Sequence, residues 1–233
     1  MKFGVVIFPG SNCDQDMIHV CREVMQSETR ILWHKDTSLQ DLTSSDCIII
    51  PGGFSYGDYL RCGAIARFSP IMEKVIEHAS NGGYVWGVCN GFQILCESHL
   101  LPGALLQNQN QSFICQNQYI LPFTNNSMIT RGLDLKEPLN VPIAHGEGRF
   151  YASLEVLNEL KRNDQILFKY CDADGNINDS SNPNGSIENI AGICNTNRNV
   201  FGMMPHPERA SEEVLKNTDG RKLFESLLNL AHI

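Results

Sequence analysis

Cys89 stands between an apolar segment and a helix-like segment, with Gly87 and Gly91 two residues away on either side. The pattern Gly-x-Cys-x-Gly after a strand is typical of a nucleophile elbow, in which a sharp turn lifts the reactive side chain off the sheet. The two glycines lack a Cβ and so let neighbouring backbone approach closely. The dipole of the following helix favours a thiolate. A buried structural cysteine is the alternative interpretation, because free cysteines are often apolar core residues.

A cysteine nucleophile needs a base, and the segment 205–208, Pro-His-Pro-Glu, offers one. His206 is flanked by two prolines, which restrict the backbone and therefore the direction of the imidazole. In an extended segment, residues two apart project to similar sides, so we expect Glu208 to orient the ring and stabilise its protonated form. Alone, the segment would indicate a proline-rich exposed turn with an incidental histidine. Beside a cysteine elbow, the catalytic interpretation is favoured.

Acyl transfer to sulfur also requires an oxyanion hole. The N–H of Asn90, directly after the nucleophile, is one candidate donor. The Gly52-Gly53 turn is the other, although a Pro-Gly-Gly sequence by itself is also an ordinary tight turn. His145 is the only other histidine in a motif-like setting, and it either lines the substrate site or is a loop histidine held by backbone bonds. The sequence contains no spaced metal-ligand motif, so no metal is expected.

The elements that position these residues follow an alternating pattern in the first hundred residues. Strands are predicted at 3–8, 31–33, 47–50 and 84–88. Helices are predicted at 16–25 and from Ser69-Pro70, with Ser69 as N-cap and with Ile71, Val75 and Ile76 buried. This alternation predicts an α/β fold with a mostly parallel sheet covered on both faces. Ligands of such sheets bind beyond the carboxyl ends of the strands, where Cys89 and the glycine turns fall.

After Pro102 the pattern changes to shorter strands, predicted at 113–121, 139–143, 165–170, 190–194 and 200–203. Further helices are predicted at 154–160 and 219–230. The polar segment 172–189 is either a disordered surface loop, which its composition favours, or an ordered contact loop. No repeat and no linker divides the chain, so we expect a single domain over residues 1–233.

The composition narrows the class of protein. The 233 residues carry a formal net charge of -8, and nucleic-acid binding would need a basic patch. The nine cysteines form no CxxC pair, and the first apolar run is too short for a signal sequence or a membrane span. A reduced, cytoplasmic protein without nucleic-acid or membrane partners is expected.

Three blocks, at 51–53, 87–93 and 205–208, resemble in order the signature blocks of class I, triad-type glutamine amidotransferases. More narrowly, the chain resembles the glutaminase subunits of phosphoribosylformylglycinamidine synthases, which act in de novo purine biosynthesis. This narrower resemblance rests above all on GGFSYGDYLRCGAIARFSP at 52–70, which is far more specific than the glycine turn alone.

The resemblance implies a three-layer α/β/α, flavodoxin-like domain and a set of residue roles. The nucleophile, the base and the orienting carboxylate would be Cys89, His206 and Glu208. The oxyanion N–H groups would come from Gly53 and Asn90. Glutamine would be held in part by Gln93, His145 and Gly146.

The resemblance also implies a reaction shared between chains. The thiolate would attack glutamine, release ammonia and form a thioester that water hydrolyses to glutamate. The ammonia would pass through a channel to a large synthetase subunit, which uses ATP and Mg to convert formylglycinamide ribonucleotide. A small third subunit is implied as well, and no cofactor is expected in this chain. The segment 172–189 is the candidate docking surface.

Two other functions stay open on the residues alone. A different Cys-His-Glu hydrolase, such as a peptidase or a γ-glutamyl hydrolase, would act without a partner. A non-catalytic binding or regulatory subunit could keep the fold, but the presence of Cys89, His206 and Glu208 together weighs against it.

Overall fold

A nine-stranded sheet forms the centre of the molecule in the computed structural model, which describes residues 1–229. The strands are Phe3–Ile7 (β1), Thr29–Trp33 (β2), Cys47–Ile50 (β3), Tyr84–Val88 (β4), Ala104–Leu106 (β5), Ile114–Pro122 (β6), Leu139–His145 (β7), Arg149–Tyr151 (β8), Ile166–Cys171 (β9), Ile190–Cys194 (β10) and Val200–Met203 (β11). Their order in the sheet is β2-β1-β3-β4-β11-β10-β9-β6-β7, and β5 pairs separately with β8.

The half of the sheet from β2 to β11 is parallel throughout and has the strand order of flavodoxin-like folds. Its strands are short apolar runs, and Cys47–Ile50 is buried at every position, as expected for strands covered on both faces. The predicted α/β class is therefore confirmed. The other four strands extend the sheet in antiparallel pairing, and this part of the topology was not predicted from the sequence.

The helices are Asp14–His19 (α1), Pro70–Ser80 (α2), Asn90–Glu97 (α3), Leu154–Arg162 (α4) and Arg221–Asn229 (α5). Because successive strand residues point to opposite faces, β4 shows how the layers form. A Cβ on Gly87 would lie 2.6 Å from the side chain of Leu95 in α3. Trp86 points the other way, and its ring centroid lies 4.9 Å from that of Phe224 in α5. The two helices thus cover opposite faces of the sheet.

Several local predictions need correction. The first helix begins at Asp14 and continues after His19 as a π-helical turn, Val20–Val24. Ser69 precedes α2, but its side chain makes no capping bond, because its hydroxyl lies 2.7 Å from the Tyr56 hydroxyl instead. The prediction that Ile76 is buried is wrong, since it lies on the exposed side of α2. Met72 is buried in its place. The closing helix begins at Arg221, and its predicted end at residue 230 lies outside the described residues.

The polar segment 172–189 is held by its own side chains, so the prediction of disorder is wrong. Asn178 accepts a hydrogen bond from the Ser181 amide at 2.9 Å and caps a 3-10 turn. Further along, the Asn184 side chain is buried and donates to the Gly148 carbonyl at 2.8 Å. Asn and Ser side chains here satisfy backbone groups directly, an effect that composition does not reveal. Within residues 1–229, no helix is long and apolar enough to cross a membrane.

Candidate active site

Cys89 lies at the carboxyl end of β4, and α3 begins at the next residue. Its backbone has φ 52° and ψ -106°, a conformation that is costly for any residue with a Cβ. A Cβ on Gly91 would overlap the carbonyl oxygen of Ile50, so α3 packs directly against β3. The close approach of these elements maintains the strain at Cys89, and together they form the elbow that the glycine spacing predicts.

The second part of the site is the buried pair of His206 and Glu208, whose Nδ1 and Oε1 atoms are 2.7 Å apart. Both residues are at most 2% exposed. The His206 amide donates to the carbonyl of Pro142 in β7 at 2.8 Å, which fixes the segment against the last strand of the sheet. The segment is not extended, and this expectation from the sequence is wrong. Residues 207–209 form a 3-10 turn because proline suits the first position of a helical turn, and this turn carries the carboxylate to the ring.

Gly52 shows how closely the two parts meet. A Cβ built there would lie 2.7 Å from Cε1 of His206, 3.3 Å from the Cβ of Cys89 and 3.2 Å from the Sγ of Cys13. These three side chains therefore surround one small space above the glycine. Among residues 1–229, the Nε2 atom of His206 has no hydrogen-bond partner. The Cys89 thiol itself lies 3.6 Å from the carbonyl oxygen of Ala144 in β7.

The charges around His206 decide its protonation. Burial alone lowers the pKa of His206, but the negative charges of Glu208 and Cys89 outweigh burial and hold this pKa well above its ordinary value. The site thus stabilises the imidazolium form of His206. His145 behaves in the opposite way, since burial and then the charge of His206 lower the pKa of His145 to about 4. His145 is therefore neutral at pH 7.

The candidate oxyanion donors are Gly53, which lines the pocket with Cys89 and His206, and Asn90, which directly follows Cys89. Gly53 has φ +143°, and a Cβ there would be 2.7 Å from the Asn12 amide nitrogen, so only glycine fits. Asn90 is the first residue of α3, and the first amides of a helix have no intrahelical acceptor. Within residues 1–229, neither amide makes a hydrogen bond. Both N–H groups are therefore free of other protein acceptors.

The predicted glutamine contacts Gln93, His145 and Gly146 all line one pocket of about 230 Å³, together with Cys89 and His206. Gln93 is already occupied, because its amide donates to the Glu147 carbonyl at 2.6 Å and accepts from the Asn90 side chain at 2.8 Å. In this structure, therefore, the Gln93 side chain connects Asn90 to the Glu147 backbone and stabilises the wall of the pocket. Gly146 leaves open space, since the nearest atom to an added Cβ is 3.8 Å away.

His145 is fixed mainly by a residue that was not predicted from the sequence. The side-chain oxygen of Asn108 lies 3.1 Å from Nδ1 of His145 and accepts from the Gly148 amide at 3.0 Å. The side-chain nitrogen of Asn108 donates to the His145 carbonyl at 2.8 Å. Asn108 is 1% exposed and 37 residues away in sequence, so no local pattern indicates it.

Cys13 and Arg209 also belong to the pocket and were not predicted. The Arg209 guanidinium donates to the Cys13 sulfur at 3.2 Å and to Asp16 at 3.1 Å. One signal could have indicated Cys13: it follows the turn after β1, at the same rim of the sheet as Gly52 and Cys89. Asp58 and Glu147 add two carboxylates to the pocket wall, and burial, opposed in part by hydrogen bonds, raises the pKa of Asp58.

Comparisons with known proteins cover nearly the whole chain, and they all indicate a glutamine amidotransferase domain. Residues 1–228 match the family described as CobB/CobQ-like glutamine amidotransferase domain. Phosphoribosylformylglycinamidine synthase subunit PurQ of Nostoc sp. is 56% identical, with 98% of this chain and 97% of that protein covered. The protein of the same name from Acaryochloris marina is 54% identical, with coverages of 98% and 96%. The solved structure of PurLQS from Thermotoga maritima matches at 40% identity and a TM-score of 0.85, covering 98% of each chain. A glutamine amidotransferase from Thermotoga maritima, 14% identical with a TM-score of 0.57, shares the fold over 99% of this chain and 97% of its own.

Proposed function

Because this chain belongs to the family of CobB/CobQ-like glutamine amidotransferase domains, we propose that it hydrolyses glutamine at Cys89 and supplies the ammonia to a synthetase in another chain. It is the glutaminase subunit of a phosphoribosylformylglycinamidine synthase, an enzyme of purine biosynthesis, since whole-length relatives carry that name at up to 56% identity. One observation carries the proposed chemistry: the strained Cys89 and the buried His206–Glu208 pair open onto the same pocket.

The proposed reaction begins with attack of the Cys89 thiolate on the side-chain amide carbon of glutamine. The tetrahedral oxyanion accepts hydrogen bonds from the amides of Gly53 and Asn90, each worth about 3 kcal/mol. The His206 imidazolium then protonates the departing ammonia, and a γ-glutamyl thioester remains. Neutral His206 next takes a proton from water, which attacks the thioester and releases glutamate and the thiolate. Glu208 keeps the ring in place and stabilises its charged form.

The charges of the pocket support a free amino acid as substrate. Asp58 and Glu147 offer carboxylates to an α-ammonium group, and Arg209 offers a guanidinium to an α-carboxylate. A peptide substrate would present neutral amides at those positions. The pocket therefore favours glutamine over a peptide.

The exposed apolar residues beside the pocket support a protein partner. Tyr59, Leu60 and Phe68 are 90%, 75% and 76% exposed, and all lie in the segment 52–70 that also supplies Phe54 and Asp58 to the pocket wall. Clustered exposed apolar side chains are typical of interaction sites. We assign this segment to the large synthetase subunit, to which ammonia must pass. ATP and Mg belong to that subunit, and a small third subunit completes the complex.

Gel filtration of the chain mixed with its synthetase distinguishes this docking surface from the segment 172–189. The double variant Tyr59→Ser/Leu60→Ser should no longer co-elute with the synthetase. Replacing residues 173–177, four of which are exposed, by a Gly-Ser sequence should leave co-elution intact if the segment 52–70 is the interface. Loss of co-elution only in the second variant would transfer the docking role to the segment 172–189.

Glutamate release from glutamine, measured with and without the synthetase, tests the proposed function itself. We expect weak release alone, strong release in the complex and none with Cys89→Ala. A glutamine-mimicking electrophile should label the wild type and Cys115→Ala, which removes an exposed thiol, but not Cys89→Ala. Strong activity that the partner leaves unchanged would instead indicate an independent hydrolase.

A further inference from the structure

The polar segment 172–189 contacts the wall of the active-site pocket through one side chain, Asn184. This side chain is buried, whereas residues 176–180 of the same segment are exposed. Its amide nitrogen donates to the Gly148 carbonyl at 2.8 Å. The same nitrogen lies 3.5 Å from Nε2 of His145, a residue that lines the pocket. The segment therefore supports the pocket as well as its own turns.

The turn that Asn184 contacts is formed by residues 145–148, which join β7 to β8. Its four carbonyl oxygens accept hydrogen bonds from residues in three distant parts of the chain. Asn108 holds the first two carbonyls, through its side chain at 2.8 Å and its backbone amide at 2.9 Å. Gln93 holds the third at 2.6 Å, and Asn184 holds the fourth. The position of the turn thus depends on all three side chains.

The hydrogen bonds also fix the direction of each polar group beside His145. The Asn184 oxygen accepts from the amide and the hydroxyl of Ser186, at 3.0 and 2.8 Å, so its nitrogen must face Gly148 and His145. The Asn108 nitrogen donates to carbonyl oxygens, so its oxygen faces Nδ1 of His145, which carries the proton. Because His145 is neutral at pH 7, its Nε2 has no proton and faces an N–H of Asn184.

We propose that Asn184 is a positioning residue for glutamine binding, which holds the turn 145–148 by donating to the Gly148 carbonyl and to neutral His145. This role rests on the proposed function, because the turn is part of the wall of the glutamine pocket. Glu147 lies on the turn, so a shift of the turn moves the carboxylate that we assign to the α-ammonium group. Loss of the Asn184 donor should therefore weaken glutamine binding more than it slows the chemical step.

The first test is the variant Asn184→Asp in the assembled complex. It keeps the shape of the side chain but replaces the N–H donors by an oxygen, which would face the Gly148 carbonyl oxygen and repel it. We expect KM for glutamine to rise about 10-fold, as for the loss of one buried hydrogen bond, with a smaller change in kcat.

Asn178→Ala is the matched control for this test. Asn178 belongs to the same segment and caps a 3-10 turn, and its side chain bonds to Ser180 and Ser181. The control variant thus loosens the segment while Asn184 keeps its own bonds. Its KM for glutamine should equal that of the wild type.

The second readout is the titration of His145, followed by NMR of the full chain with labelled histidine and assigned by its absence in His145→Gln. In the wild type, His145 should stay neutral down to its pKa of about 4. A carboxylate at position 184 would stabilise a proton on Nε2, although the charge of His206 opposes it. His145 should therefore take up its proton at a higher pH in Asn184→Asp, but not in Asn178→Ala. A side chain that only fills space would change neither KM nor this titration.

A KM that is unchanged in Asn184→Asp, or raised equally in Asn178→Ala, would overturn the proposal. If Asn184→Asp does not fold, Ser186→Ala decides, because it removes one of the two bonds that orient the Asn184 amide. Ser186→Ala should raise KM at least about 2-fold, and a wild-type KM would refute the role of Asn184. A complex without any glutaminase activity would refute the proposed function, while the titration of His145 would still show whether Asn184 acts on it.

Discussion

A single methyl group at position 52 should abolish most of the proposed glutaminase activity, although Cys89, His206 and Glu208 all remain in place. The Cβ of Gly52→Ala would lie 2.7 Å from Cε1 of His206, whereas carbon atoms pack at about 3.5 to 4.0 Å. The nearest atoms of Cys89 and Cys13 are 3.3 and 3.2 Å away, so they also resist the methyl group. The His206 imidazole must therefore retreat by about 1 Å from Cys89.

The size of this displacement determines how much the rate of glutamate release should fall. His206 is held by Glu208 on one side and by the Pro142 carbonyl through its own amide, so it cannot move as a unit without losing a bond. A misplacement of about 1 Å in a catalytic group costs about 100-fold in rate. This corresponds to about 2.7 kcal/mol of lost transition-state stabilisation.

The assay is kcat for glutamate release in the complex, with thermal unfolding of each variant measured in parallel. Gly132→Ala is the matched control, because the nearest atom to its Cβ, the Ser226 hydroxyl oxygen, is 3.5 Å away. The control should keep full activity. If Gly52→Ala folds normally and retains more than about a third of wild-type kcat, the inferred contact between position 52 and His206, or the proposed role of His206, is wrong.

Three further predictions concern folding and the pocket wall. Because burial and the charge of His206 hold the pKa of His145 at about 4, unfolding takes up a proton there below about pH 6.5. The wild type should therefore lose stability as pH falls from about 6.5 to about 4, and urea denaturation of His145→Gln should show a decline smaller by about 3 kcal/mol. Asn108→Ala should destabilise the fold by about 2 to 4 kcal/mol, because it leaves the His145 carbonyl and the Gly148 amide unpaired, and should raise KM for glutamine. An unchanged KM would contradict the clamping role. Gly91→Ala should yield little folded protein, since its Cβ would overlap the Ile50 carbonyl oxygen; a soluble, active variant would refute that contact.

The parallel half of the fold could be predicted because each of its strands is a short apolar run ending in a turn or the elbow. Cys47–Ile50 is buried on both faces and is followed at once by the glycine turn. The carboxyl ends of parallel strands must meet at one rim, so the proximity of Gly52 and Cys89 followed from the pattern alone. The antiparallel strands carried no comparable signal, because their order depends on pairing between segments distant in sequence.

Other parts of the site depend on contacts that a sequence does not display. Cys13 meets Arg209 across 196 positions, and Asn108 meets Gly148 across 40. The segment 172–189 has the composition of a flexible loop, yet its Asn and Ser side chains bond to specific backbone atoms. The composition shows how many polar groups a segment has. It does not show whether these groups form hydrogen bonds with water or with other parts of the protein.

Cys89 and His206 also contact β7, the strand at one edge of the sheet. Its outward backbone groups would otherwise be open to pairing with another chain, which is how exposed strand edges lead to aggregation. The Asn140 amide instead donates to Asp219, the Pro142 carbonyl accepts from His206, and the Ala144 carbonyl accepts from Cys89. Proline at position 142 also removes one donor from this edge. Substitutions that displace the His206 segment should therefore reduce solubility as well as turnover.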